Sequence, residues 1–153
     1  MSIVQLEPSP VWPDAPRYCP HRIFPAYRFT PGLNLHPRGQ VGGHSYGLLE
    51  EVPPYLPPNR WRENEVYLFG VDLYHYGYLW ESHELWESLW HLTNKEEPEG
   101  QFLQGLIQNS AAKLKLHLNE FSGAQRPLWI INNNTHKQIK NTVRVINAST
   151  QEY

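Results

Sequence analysis

The stretch "ESHELWESLW", residues 81–90, sets three glutamates and a histidine among two tryptophans. On a helix turning about 100° per residue, Trp80, His83, Glu84, Glu87, Trp90 and His91 fall within an arc of roughly 120°. Ionisable groups and indoles therefore share one face. Indoles gain by burial, and a carboxylate taken out of water with them needs a partner. His83 and Glu87 stand one turn apart and can meet. Were that pair buried, Glu87→Ala would strand His83 and cost about 2–4 kcal/mol.

Three chemistries suit this face. Imidazole and carboxylate at one-turn spacing can hold a divalent metal such as zinc, manganese or iron, with His83, Glu87 and, from another helix, His117 as ligands. Glu84 or Glu87, raised in pKa beside Trp80 and Trp90, or His83 as a base, could do metal-free acid–base work, which makes His83, Glu84 and Glu87 the catalytic candidates. The same groups could instead form a satisfied polar network that fixes helix register. "HELWE" is not the His-Glu-x-x-His zinc motif, and Glu-x-x-His does not occur twice as a di-iron bundle would require. Trp80, Trp90 and His44 are candidates for holding a substrate. His44 lies in "LHPRGQVGGHSYG", residues 35–47, where four glycines let a loop present His36, Arg38, His44 and Ser45, or simply turn at the surface. That loop is neither a phosphate-binding nor a dinucleotide fingerprint, and Ser45 lacks a nucleophile elbow.

The elements that must carry these residues follow from periodicity. Val66, Phe69, Leu73 and Tyr76 recur at helical spacing, with Gly77 as a natural end. Gly70 on that face would let another helix come close. A second helix is expected from about residue 78 to 92, and so short a connection makes the two antiparallel neighbours. "TNKEEPEG" marks a turn. Leu103, Leu106, Ile107, Ser110, Leu114, His117 and Leu118 then define the clearest helix, with His117 in its apolar stripe, aimed at whatever covers it. "SGAQ" at 122–125 is a capping-box pattern, and Thr135 with Gln138 repeats it before a short last helix.

Twelve of the fourteen prolines lie in residues 1–58. Each removes an amide donor and disfavours helix before it, so this part is an extended arm. Trp12, Tyr18, Ile23, Phe24, Tyr27, Phe29, Leu33 and Leu35 give the arm apolar surface to bury on the helices. The division expected is an arm at 1–60, a helical core at 61–131, and an Asn-rich turn with a short helix at 132–153. The fold class is all-α, a three- to four-helix bundle with a Pro-rich, mostly irregular N-terminal arm packed on it.

Composition narrows the partners. A chain of 153 residues with 40% hydrophobic content can bury a core. The net charge of −2 and six glutamates against one lysine between 81 and 99 argue against nucleic acid. No apolar run reaches the ~18 residues of a membrane helix, and the first residues lack a signal-peptide pattern. A single cysteine, Cys19, precludes an intramolecular disulfide and fits a reducing, cytoplasmic setting.

"LYHYGYLWESHELWESLWHL", "FLQGLIQNSAAKLKLH" and "SGAQ" resemble the bacterial family known as domain of unknown function 309. The resemblance rests on Gly77, Tyr78, Glu81, His83, Glu84, Trp86, Glu87, Trp90, the run Phe102, Leu103, Gly105 to Gln108, and then His117, Gly123 and Ala124. The arm "YRFTPGLNLHPRGQVGGHSYG" is similar to a form of the family that carries a Pro-rich extension. This implies a compact helical bundle and no established activity. Pro127 and the Asn cluster depart from the family pattern. Two function classes follow: a small metal-assisted or acid–base catalyst, and a non-catalytic module that binds a protein partner or a second copy through exposed aromatics and the arm.

Overall fold

The computed structural model describes residues 14–50 and 52–118, and within them the protein is helical with no strand. A 3-10 helix at Pro58–Glu63 leads into α1 (Glu65–His75), α2 (Leu79–Trp90) and α3 (Pro98–His117). The helices expected after Ser122 and after Thr135 lie outside the described residues.

Local chemistry fixes the ends. The Asn64 side chain accepts the Tyr67 amide at 3.0 Å and so caps α1. At the other end Tyr78 N–H bonds Leu73 O at 2.8 Å and Gly77 N–H bonds Tyr74 O at 3.2 Å, with Gly77 at φ +81°. This is a Schellman stop, and its left-handed residue is glycine because a Cβ would be strained there. The chain reverses at once into α2. Pro98 opens α3, where its missing amide would have had no partner anyway.

Helix α2 lies between the other two. Its Ser82 meets Ser110 of α3 at 3.2 Å, His83 faces the Ile107 carbonyl, and Leu89 and Trp86 cluster with Leu103, so α2 and α3 run antiparallel. Against α1, the buried Trp86 indole lies across Gly70 and donates to Tyr67 O at 3.3 Å. A Cβ on Gly70 would fall 2.3 Å from Trp86 Nε1. Glycine is the residue that permits this approach.

The arm is irregular and is packed on α1 and α2. Asp72 is wholly buried in α1, and its carboxylate accepts Tyr18 N–H and Cys19 N–H at 2.8 Å each and the Arg17 guanidinium at 3.3 Å. Arg17 also covers the Phe24 ring at 4.0 Å and donates to the carbonyls of Cys19 and Arg22. Phe24 stacks on Tyr78 at 5.1 Å, so Cys19, Phe24, Phe69, Leu73 and Tyr78 form one end of the core. Not all of the arm's apolar surface is used: Ile23 is 92% and Leu33 80% exposed. Hydrogen bonding of the arm's backbone, more than its aliphatic side chains, seats it.

Gly70→Ala is expected to lower stability by about 1–3 kcal/mol, since α1 and Trp86 must separate. Asp72→Ala should cost about 3 kcal/mol or more, because two buried amides and a guanidinium lose their acceptor. Urea unfolding measures both. A change within ~0.5 kcal/mol in either case would contradict the packing described.

Candidate functional site

Helix α2 presents a different chemistry to each neighbour. Leu85, Trp86 and Leu89 face core, and Ser82 faces α3. The remaining sides carry the ionisable groups. His83, Glu84 and Glu87 are half-buried, and one potential ligand atom from each lies within 4.8 Å of the others. His83 Nε2 is 3.7 Å from Glu87 Oε2, with the two side chains 28% and 39% exposed. His83 Nδ1 approaches the Ile107 carbonyl at 3.4 Å. A carbonyl only accepts, so Nδ1 carries a proton toward it, and Nε2 is the ring nitrogen turned to the Glu87 carboxylate. That nitrogen and the carboxylate face one another across a gap suited to a shared proton or a cation.

Glu84 and Glu87 open onto a cavity of about 240 Å³ whose other wall is Glu50, Val52 and Pro53 of the arm, with His91 at one side. Burial pushes the Glu84 carboxyl above its ordinary range; His83 and Arg38 pull it down, while the Glu87 and Glu50 carboxylates push it further up. An acid raised in this way beside a cavity keeps its proton to a higher pH than a free carboxyl, the direction that suits a general acid.

Of the residues expected here, the structure joins His83, Glu84 and Glu87 and leaves His117 apart. His117 is exposed at the last position of α3. Ile107 is the residue of α3 opposite His83, and ten further residues at 1.5 Å rise carry His117 about 15 Å beyond it. Helical periodicity put His117 on the inner stripe, but α2 is too short and oppositely directed to lie beneath that turn. Glu84, rather than His117, stands third in the group. Trp80 and Trp90 are also separated. Trp80 lies under the arm, edge-on to Phe29 at 5.2 Å and His36 at 5.5 Å. Trp90 packs on the cluster of Val66, Leu89 and Leu103, with Lys95 Nζ 4.0 Å above its ring. Neither indole lines the cavity. The half-exposed His83–Glu87 pair also lowers the expected cost of Glu87→Ala from several kcal/mol to within about 1 kcal/mol.

The residue that periodicity missed is Glu81. Its carboxylate is 5% exposed and Oε1 accepts Phe29 N–H at 2.8 Å and meets His44 Nε2 at 3.0 Å. Its other oxygen, Oε2, is buried with no hydrogen-bond partner. His44 is held in turn by Tyr27, whose hydroxyl accepts His44 N–H at 3.1 Å and whose ring lies 4.7 Å from the imidazole. Glu81 sits outside the indole-bearing arc of α2, and its partners are 37 and 52 residues away along the chain. The sequence signals that touch it are the Glu-x-His-Glu spacing and the Gly-His-Ser loop. Nothing in either says that they meet.

Comparison with known proteins gives one match, over a segment of the chain. Residues 67–126 match the model of the family described as domain of unknown function, DUF309. The matched DUF309 segment takes in α1 from Tyr67, all of α2 and all of α3, and therefore Glu81, His83, Glu84 and Glu87. The arm, with His44 and Ser45, lies outside it. No curated protein and no solved structure matches the chain. No described helix is long and apolar enough to cross a membrane.

Burial raises the Glu81 carboxyl, with the Phe29 amide and His44 only partly offsetting it. A carboxyl whose folded pKa is raised contributes stability that is complete below its ordinary value and disappears as pH climbs through the raised one. Relative to Glu81→Gln, the wild type should therefore lose stability as pH rises from the ordinary carboxyl range through the raised one. Urea midpoints of the two proteins across that range provide the check, since groups common to both cancel. A difference that is flat, or that favours the wild type with rising pH, would contradict the burial.

Proposed function

We propose that His83, Glu84 and Glu87 hold a divalent cation at the edge of the cavity between the arm and α2, and that the protein is a metal-assisted or acid–base catalyst acting on a small substrate there. One observation carries this reading: an imidazole nitrogen and two carboxylate oxygens lie within 4.8 Å of one another where the two carboxylates open onto a space of about 240 Å³. Ligand atoms around zinc sit at about 2.0–2.2 Å from the ion, so small side-chain rotations would close the group on it. Three protein ligands leave a coordination position for water or substrate, as catalytic sites require. Imidazole with carboxylates suits zinc, manganese or iron. The Ile107 carbonyl behind His83 is the kind of outer partner that orients a ligating histidine.

The non-catalytic reading, in which the cluster only fixes packing, has its support elsewhere in the molecule. Glu81 with His44, and Ser82 with Ser110, are buried polar contacts that join the arm to α2 and α2 to α3. His83, Glu84 and Glu87 are more exposed than these groups, and the two glutamates line a cavity, which favours chemistry over register.

Elemental analysis and calorimetric titration with zinc and manganese test the proposal. About one ion per chain is expected, with affinity falling at least tenfold in His83→Ala and in Glu87→Gln, and unchanged in His117→Ala, while circular dichroism stays the same. Absence of saturable binding below millimolar concentration, or binding indifferent to His83→Ala, would overturn it.

A further inference from the structure

The arm carries a second arrangement with chemical capacity, independent of the proposed cation site. Ser45 Oγ lies 2.8 Å from His44 Nδ1, and His44 Nε2 lies 3.0 Å from Glu81 Oε1. The three side chains form a continuous hydrogen-bonded chain from a half-buried hydroxyl to a sealed acid. His44 and Glu81 are each 5% exposed at the side chain, whereas Ser45 stands at the outer end. We propose that Ser45 is a nucleophile activated by His44 as general base, with Glu81 as the positioning residue that fixes the imidazole tautomer, and that the centre accepts an activated acyl group, an ester or thioester.

The proton assignment follows from the acceptors. Glu81 Oε1 already takes the Phe29 amide at 2.8 Å, and when ionised it can only accept, so His44 must donate from Nε2. Nδ1 is then a lone pair, and the Ser45 hydroxyl donates to it. That is the polarity a nucleophile–base pair needs, with a third group orienting the base. The orphaned Oε2 strengthens the case. With Oε1 taken by the Phe29 amide and His44 and Oε2 left without a side-chain or backbone partner from another residue, the carboxylate is not saturated by the contacts that seat the arm. A purely structural anchor in this molecule looks different: Asp72, the other buried acid under the arm, has both oxygens engaged.

The loop is built to hold this geometry. Gly43 passes so close to His36 and Pro37 that a Cβ would stand 2.3 Å from one carbonyl oxygen and 2.4 Å from the next. Ser45 N–H bonds Pro37 O at 3.0 Å, and Tyr46 N–H bonds Gly43 O at 3.0 Å across the turn that presents His44 and Ser45. The surroundings choose between substrate classes. Tyr27, Phe29 and Trp80 bring rings to the site, and the guanidinium of Arg38 is turned to the Leu48 carbonyl at 3.5 Å. Aromatic walls suit an uncharged acyl group; a phosphoryl group would call for cations. In the step itself Ser45 Oγ bonds the acyl carbon as its proton passes to His44 Nδ1. The tetrahedral adduct then expels an alcohol or thiol, which takes that proton. Water repeats the sequence to release the acid and restore the hydroxyl.

The test uses the full chain with a fluorophosphonate probe and, separately, a thiol in place of the hydroxyl. Peptide mapping should find the probe on Ser45, at a rate at least tenfold above Ser45→Ala and His44→Asn, and unaffected by a chelator that strips divalent metal. In Ser45→Cys, iodoacetamide should alkylate the new thiol near pH 6.5 at least tenfold faster than in the double variant with His44→Asn, because a histidine-paired thiol ionises below the usual ~8.5. Glu81→Gln should slow that alkylation. Cys19, buried and with its thiol pushed up by burial, serves as the slow internal reference. No labelling of Ser45 together with an ordinary thiol titration in Ser45→Cys would overturn the proposal, as would labelling that persists in His44→Asn. Loss of labelling by the chelator would also overturn it, assigning the reactivity to the cation site instead.

Discussion

Asp72 is the constraint on which the placement of the arm depends. A carboxylate without solvent contact, inside α1, is tolerated because two successive arm amides and a guanidinium converge on it. The arm has little regular structure of its own, and many of its aliphatic side chains remain in water, so hydrophobic burial alone would not give it one register. Directional bonds to a single fixed acid do. Once residues 17–19 are pinned, Phe24 falls onto Tyr76 and Tyr78, and the rest of the arm is led across α2.

Glu81 is the second anchor and differs in completeness. Asp72 offers its acceptors to backbone donors that are always protonated. Glu81 is met by one amide and one histidine, keeps a bare oxygen, and is raised by burial. The chain thus holds the near part of the arm by a saturated contact and the far part by one with spare chemical capacity. Glu50, Val52 and Pro53, which wall the cavity, lie on that far part.

Helix α2 is short, twelve residues, and carries Glu81, Ser82, His83, Glu84 and Glu87. One side meets α1 through Trp86 across Gly70, another meets α3 through Ser82 and His83, and a third lies under the arm with Trp80, Glu81, Glu84 and Glu87. Because both bundle partners are fixed by interlocking contacts, the positions of these acids are set by rigid packing instead of by loops. That is the condition under which half-buried carboxylates can be held a few ångströms apart in spite of their repulsion.

The sequence by itself determined the helices and their stops. Local spacing of Val66, Phe69 and Leu73, the Gly77 stop and the proline density of the arm are short-range facts, and short-range physics decides them. It also put His83, Glu84 and Glu87 on one side of one helix, since positions i, i+1 and i+4 share a face in any packing. Tertiary structure decided everything that needed two elements. The rise along α3 carried His117 away from His83, Trp80 and Trp90 went to different neighbours, and Glu81 found His44 across 37 residues. Periodicity gives the direction a side chain takes from its own helix. It carries no information about which segment arrives to meet it, because that depends on distant backbone donors such as those at Asp72, whose meeting no local pattern encodes.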